Sequence, residues 1–340
     1  MRKKTLGKTN LHVSAVGFGG IPIQRLSEDD AVAVIRHALD LGVTFIDTAA
    51  GYGDSQLKIG KAIEGRRDGL VLATKTPAAT REDAAADIER SLRELRTDHI
   101  DLIQFHGVSD KAKWARIDGP GGALEAMLDA RDKGLVGHVG FTSHSREMAL
   151  ELVDEEVFET VQFPFNLVTS EPAADLIPKA IERGLGFIAM KPLCGGQYDN
   201  ARLAFKYLNA FPEVVPIPGI EKAWEIEEIA AIVDSGKLLS GAEKAEAEKI
   251  AADLGKLFCR RCGYCMPCAE GVPITTAMIF DSMVKRMPAE DMVGIARNLL
   301  AKADDCVECG KCEERCPYDL PIIESVRAAA RNARAIVGES

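Results

Sequence analysis

The sequence predicts an α/β fold, a (β/α)8 TIM barrel followed by a small α-helical domain. Two observations carry this. Up to about residue 235, eight short apolar runs alternate with amphipathic stretches, and beyond that point eight of the nine cysteines gather between Cys259 and Cys316. The apolar runs cover residues 14–18, 44–46, 70–75, 100–105, 136–141, 160–163, 186–190 and 214–218, each brief and rich in β-branched or aromatic residues. Residues 29–41 place Ala31, Val34, Ile35, Ala38 and Leu41 on one helical face behind the entry signal Ser27-Glu28. Residues 83–95 do the same with Ala84, Ile88, Leu92 and Leu95, and Thr80 is placed to cap them. Gly42, Gly134 and Gly184 each follow a helical pattern, as a left-handed C-terminal cap does. Eight strand-helix units favour a closed barrel over an open sheet, and Gly17-Phe-Gly-Gly20 lacks the G-x-G-x-x-G spacing of an open dinucleotide-binding sheet. Residues 1–240 are assigned to the barrel and 241–340 to the second domain. The latter opens on a charged helix at 240–258, continues through helices at 275–287 and 289–303, and ends in a basic helix at 321–337.

The chain has 340 residues, and 42 basic against 52 acidic residues give a formal charge of -10. That field repels phosphate backbones, so no nucleic-acid partner is expected. No apolar run reaches membrane-spanning length, so no membrane association is expected. The basic start has no apolar stretch behind it, so no secretory signal is read and a cytoplasmic location is expected. In a reducing compartment, crowded thiols are metal ligands more often than disulfides.

In a parallel barrel, catalytic groups stand at the C-terminal ends of the strands. Four polar residues lie there: Asp47 after the second strand, Tyr52 in the loop beyond it, Lys75 ending the third and His106 ending the fourth. Each alone has an ordinary structural explanation; four at consecutive strand ends do not. These residues carry a resemblance to the aldo-keto reductase family, as do Leu6-Gly-Lys-Thr-Asn-Leu-His-Val-Ser14, Val16-Gly-Phe-Gly-Gly20, the segment 47–60, Asp101-Leu-Ile-Gln-Phe-His106, Gly137-His-Val-Gly-Phe-Thr142 and Pro216-Ile-Pro-Gly219. The resemblance implies a barrel that moves hydride between a nicotinamide and a carbonyl or alcohol. Carbonyl reduction needs a proton for oxygen, and a tyrosine of pKa about 10 is a weak donor at neutral pH. A neighbouring ammonium favours the phenolate and a carboxylate fixes the ammonium. By this resemblance Tyr52 is the general acid, Lys75 tunes it, Asp47 anchors Lys75, and His106 orients the carbonyl.

The nicotinamide positions match the family in part. The resemblance assigns Met190 to the place of a stacking tyrosine, and Thr142, Ser143 and Gln162 to the carboxamide. After the eighth strand, NADPH-using members carry basic and hydroxyl residues for the 2'-phosphate. Here Gly219-Ile-Glu-Lys-Ala-Trp-Glu225 offers only Lys222 beside Glu221 and Glu225. Two carboxylates repel a phosphate dianion, which disfavours strong NADP preference. NAD, a weakly held nicotinamide or another electron source are the alternatives.

The cysteines read Cys259-Arg-Arg-Cys262-Gly-Tyr-Cys265-Met-Pro-Cys268 and Cys306-Val-Glu-Cys309-Gly-Lys-Cys312-Glu-Glu-Arg-Cys316-Pro317. The second has the C-x2-C-x2-C-x3-C-P spacing of bacterial ferredoxins, in which the fourth cysteine serves the other cluster. Crossed ligation follows: Cys259, Cys262, Cys265 and Cys316 on one [4Fe-4S] cluster, and Cys306, Cys309, Cys312 and Cys268 on the other. Ala269, where a C-x3-C-P ending would continue, leaves one cluster as the minimum. Two zinc ions are the alternative that the triple C-x2-C-x2-C run argues against. Cys194 and Trp114 are read as structural, and Arg327, Arg331 and Arg334 as a solvated helix face or a dock for an acidic electron carrier. The whole reads as an oxidoreductase acting on a small carbonyl or alcohol, with a ferredoxin-like carrier as a possible partner class. The rival is an electron-transfer or docking protein whose barrel has lost nicotinamide-dependent reduction.

Overall fold

The computed structural model describes residues 1–338. It divides into two compact units, Met1–Lys244 and Ala245 onward. In the first, an antiparallel hairpin of β1 (Lys3–Thr5) and β2 (His12–Ser14) precedes eight parallel strands. These are β3 (Phe18–Gly19), β4 (Phe45–Asp47), β5 (Val71–Thr76), β6 (Ile100–Phe105), β7 (Val136–Thr142), β8 (Thr160–Pro164), β9 (Gly186–Met190) and β10 (Val214–Ile217). They pair in sequence order from β3 to β10. A parallel bridge between Gly19 and Gly219, with Gly17 and Gly19 amides donating to Pro216 and Pro218 carbonyls at 2.9 and 2.7 Å, closes the ring. The seam needs glycine: a Cβ on Gly19 would stand 2.7 Å from the Pro218 carbonyl, and one on Gly219 2.6 Å from the Pro22 ring.

Several of the helices between the strands carry their own start and stop chemistry. Ser27 and Thr80 accept from the amides of Asp30 and Asp83 at the heads of Glu28–Asp40 and Arg81–Glu94. Gly42, Gly134 and Gly184 take the positive φ expected of them. One sequence reading is corrected. The run 14–18 is not one strand; Ser14 ends the hairpin and the first barrel strand is only Phe18–Gly19. Every residue from Val13 to Phe18 is buried, Ser14 included, so the inward-outward alternation that would show the bend at Ala15 and Val16 is missing. The hairpin seals the barrel floor. Leu6 and Val13, both fully buried, pack with Phe45, Val71, Leu102, Ile188 and Val215 of the interior.

The second unit has its own core, built where three helices meet: Ile274–Val284, Ala289–Ala303 and Ile322–Val337. Phe280, Met292, Leu299, Ile322 and Val326 fill it. The cysteines stand on the connecting segments around that core. The terminal arginines are not simply solvated, since Arg327 pairs with Glu308 and Arg334 with Asp304. Trp114 packs against Phe105 and Phe158. No helix among the described residues is long and apolar enough to cross a membrane.

Candidate functional site

The barrel mouth is organised around one buried ion pair. Asp47 ends β4, and Lys75 lies near the end of β5, where it pairs in register with Gln104 of β6. The Lys75 Nζ donates to Asp47 Oδ1 at 2.5 Å and to the Thr48 carbonyl at 2.6 Å. The two side chains are 1% and 4% exposed, so water does little to screen them. Gln104 donates to Asp47 Oδ2 at 3.3 Å, and Gln162 also hydrogen-bonds to this carboxylate. Full burial pushes the Asp47 carboxyl up, while Lys75 and the two amides pull it back.

Backbone pairing carries Tyr52 to the same place. Beyond β4 the chain keeps bonding to β5, with Thr48 donating to Ala73 and Ala50 to Lys75, and a turn closed by the Tyr52 amide on Ala49 follows. The Lys75 ammonium stands 5.1 Å from the centre of the Tyr52 ring. The His106 ring meets Tyr52 edge-on, 5.6 Å between centres. His106 is anchored through its backbone, its amide donating to Thr76 and its carbonyl accepting from Lys113 Nζ at 2.6 Å. Burial pushes the Lys113 ammonium below its usual range. The structure therefore brings together all four residues that the sequence singled out here.

Gln104 had no assigned role, although it lies two residues before His106 and so shares its face of β6. That periodicity was the available signal. Of the nicotinamide candidates, Gln162 is joined to Asp47, and its Oε1 is a buried acceptor with no hydrogen-bond partner. Thr142 Oγ1 accepts from the Gly107 amide, and the Ser143 hydroxyl is engaged with Ser145. Met190 ends β9, half-buried over the interior core. Gly219 forms the seam, and Lys222 is exposed at the head of the helix Ala223–Ser235. The two nearby carboxylates are committed elsewhere. Arg25 donates twice to Glu221, at 2.8 and 2.7 Å, and Glu225 accepts from the amides of Glu221 and Lys222 at 2.8 and 3.0 Å. Glu225 thus caps its own helix, occupying amides that an anion would otherwise use.

The eight clustered cysteines line two hollows in the second unit. Cys259, Cys262, Cys265 and Cys316 line one, and Cys268, Cys306, Cys309 and Cys312 line the other. Four cysteines line each, two-motif crossing included, which is the number and type of donors that a cubane cluster takes. Arg315, in the spacer of the second motif, donates to the carbonyls of Cys265 and Pro267 at 2.9 and 3.2 Å and so ties the two motifs together. Burial pushes the Cys265 thiol up to about 11, with neighbouring cysteines adding to the rise, and burial also raises Cys262, Cys306 and Cys312. Cys194 is fully buried in the barrel unit.

Comparison with known proteins agrees with this construction. The aldo/keto reductase family profile matches residues 15–210, and the chain belongs to that family. A 4Fe-4S dicluster domain matches residues 258–321, the segment holding all eight clustered cysteines. An aldo-keto reductase of Bacillus subtilis, YhdN, is 30% identical over 215 residues, 58% of this chain and 63% of the relative. L-galactose dehydrogenase of Arabidopsis thaliana is 29% identical over 213 residues, 57% of this chain and 66% of the relative. The chain spans slightly less than two thirds of each of these relatives. Among solved structures, an aldo-keto reductase of Klebsiella pneumoniae in complex with NADPH aligns with a TM-score of 0.63 at 26% identity, covering 74% of this chain and 96% of its own.

Proposed function

We propose that this chain is an oxidoreductase that reduces a carbonyl, or oxidises the matching alcohol, at the barrel mouth. Its preferred nicotinamide is NAD(H), and its two [4Fe-4S] clusters exchange single electrons with an external carrier. The observation that carries the reading is the Lys75 ammonium, held by buried Asp47 on one side and set over the Tyr52 ring on the other. A fixed cation beside a phenol lowers the cost of phenolate, so Tyr52 can release its proton as charge develops on a carbonyl oxygen. His106, edge-on to Tyr52, orients that oxygen. A bound dihydronicotinamide supplies the hydride, giving alcohol and oxidised cofactor for one carbonyl and one proton.

The residues present fit such a cofactor. The buried Gln162 Oε1 is an acceptor suited to a carboxamide NH2, and Met190 offers an apolar surface for the ring. NAD(H) is favoured because Glu225 takes the amides of Glu221 and Lys222 at the helix head and Glu221 holds Arg25, so a 2'-phosphate there would meet two carboxylates. The cysteine hollows fit two clusters with crossed ligation, Cys259, Cys262, Cys265 and Cys316 on one and Cys268, Cys306, Cys309 and Cys312 on the other. Clusters so held supply one-electron transfer.

The test is anaerobic turnover of an aldehyde and ketone panel with NADH, comparing wild type with Tyr52→Phe. The variant should lose about 10²–10⁴-fold in rate, the usual worth of a positioned acid, with circular dichroism and melting unchanged. Turnover at the wild-type rate would remove Tyr52 from the chemistry.

A further inference from the structure

The segment that carries His106 out of β6 is held from three sides. On one side the His106 amide donates to the Thr76 carbonyl of β5 at 2.8 Å. On another, the amides of Gly107 and Val108 donate to the hydroxyl and the carbonyl of Thr142 in β7, each at 2.8 Å. The third hold comes from the helix Lys111–Asp118, which follows directly in the chain. From it, Lys113 Nζ donates to the His106 carbonyl at 2.6 Å and to the Gly107 carbonyl at 3.3 Å. Gly107 takes a φ of 70°, a left-handed conformation that glycine enters without strain, and the two consecutive carbonyls converge on one ammonium.

Lys113 is itself firmly placed. Its amide donates to Asp110 Oδ1 at 2.8 Å, which caps this helix, and its side chain is half-buried. A hydrogen bond from an ammonium is roughly twice as strong as one between neutral groups. The amide and the carbonyl of one residue belong to two rigid peptide planes that meet at its Cα. Holding both, one by Thr76 and the other by Lys113, fixes the direction of the Cα–Cβ bond between them. The ring that this bond carries is the one that meets Tyr52 edge-on, 5.6 Å between centres.

We propose that Lys113 is a positioning residue for carbonyl reduction: by holding the His106 and Gly107 carbonyls, it fixes where the His106 imidazole stands against Tyr52. The inference rests on the role given to His106 above. Lys113 acts through the backbone of His106 and takes no part in the transfer of hydride or proton.

The experiment is a double-mutant cycle, read by anaerobic single turnover of the cluster-loaded full chain with NADH and a carbonyl it accepts. Lys113→Met should slow hydride transfer roughly tenfold, within the about 10²-fold that a 1 Å misplacement can cost. Affinity for NADH, read by fluorescence, should be unchanged, and Lys113→Arg should recover most of the lost rate. In a His106→Ala background, Lys113→Met should have no further effect, whereas a side chain that merely stabilised the barrel would slow both backgrounds alike. The inference is overturned if Lys113→Met keeps the wild-type rate, if its effect is the same with and without the imidazole, or if Lys113→Arg is as slow as Lys113→Met. A second readout is independent of turnover. In the chain labelled with 15N-histidine, the His106 ring resonances, assigned by their absence from His106→Ala, should move in Lys113→Met and return in Lys113→Arg. Resonances that stay in place in Lys113→Met would also overturn it. The two failures are distinguishable. If His106→Ala is slow and Lys113→Met is not, only the role of Lys113 falls; if His106→Ala keeps the wild-type rate, the role of His106 falls and this inference with it.

Discussion

The barrel mouth and the cysteine segments solve opposite problems. At the mouth, groups from β4, β5, β6 and β8 meet in a packed polar network, and its central ion pair is complete within the protein. In the second unit, eight cysteines line two hollows, and the partners that their thiols need are in a cofactor rather than in one another. A site closed by its own hydrogen bonds is set by folding. A site whose ligands surround a space is set by what enters it.

The sharpest way to break this contrast is to strip the clusters with chelator and oxidant and follow amide hydrogen exchange. Residues 256–273 and 304–321 should lose most of their protection, while residues 44–52 and 71–76 keep theirs. Loss at both would mean that the mouth depends on the clusters. The second test acts on the mouth. Lys75→Met leaves the Asp47 carboxyl buried without its cation and should cost about 3–5 kcal/mol in urea unfolding. Adding Asp47→Leu should restore much of that stability without restoring turnover.

A smaller effect concerns cofactor choice. Glu221→Ala releases Arg25 and removes one negative charge, so kcat/KM with NADPH relative to NADH should rise roughly tenfold. No change would place the phosphate elsewhere. The smallest effect lies at the barrel floor. Burial brings the Lys4 ammonium from 10.5 down to about 8, although it donates to the Val214 carbonyl at 2.6 Å. Between those values the unfolded chain binds the extra proton, so this residue makes stability rise as pH increases from about 8 towards 10.5. Lys4→Met should flatten that rise in urea midpoints measured across the same range.

Much of the barrel was legible because its strands are buried on both faces and read as short apolar runs between glycine and acidic residues. Lys75 and His106 were legible as polar residues ending such runs. The floor hairpin was not, since its second strand and the first barrel strand are joined by three small or apolar residues, and Ser14 at the end of that second strand is buried like its neighbours. Gln104 was visible only as a polar residue inside a strand, which hydrophobic pattern treats as noise. The Arg25–Glu221 pair joins positions 196 residues apart, and no local spacing encodes it. In the cysteine region, motif spacing anticipated the two groups of four that line the hollows.

The central claim is direct hydride delivery at the mouth, with the clusters outside that step. It is tested most directly by anaerobic single turnover of the cluster-loaded chain with NADH deuterated at both C4 positions and an accepted carbonyl. The account predicts one deuterium on the carbinol carbon of the alcohol, and no such product from Tyr52→Phe on the same timescale. Alcohol formed at the wild-type rate with no deuterium on that carbon would show that the electrons travel by another route, and would contradict it.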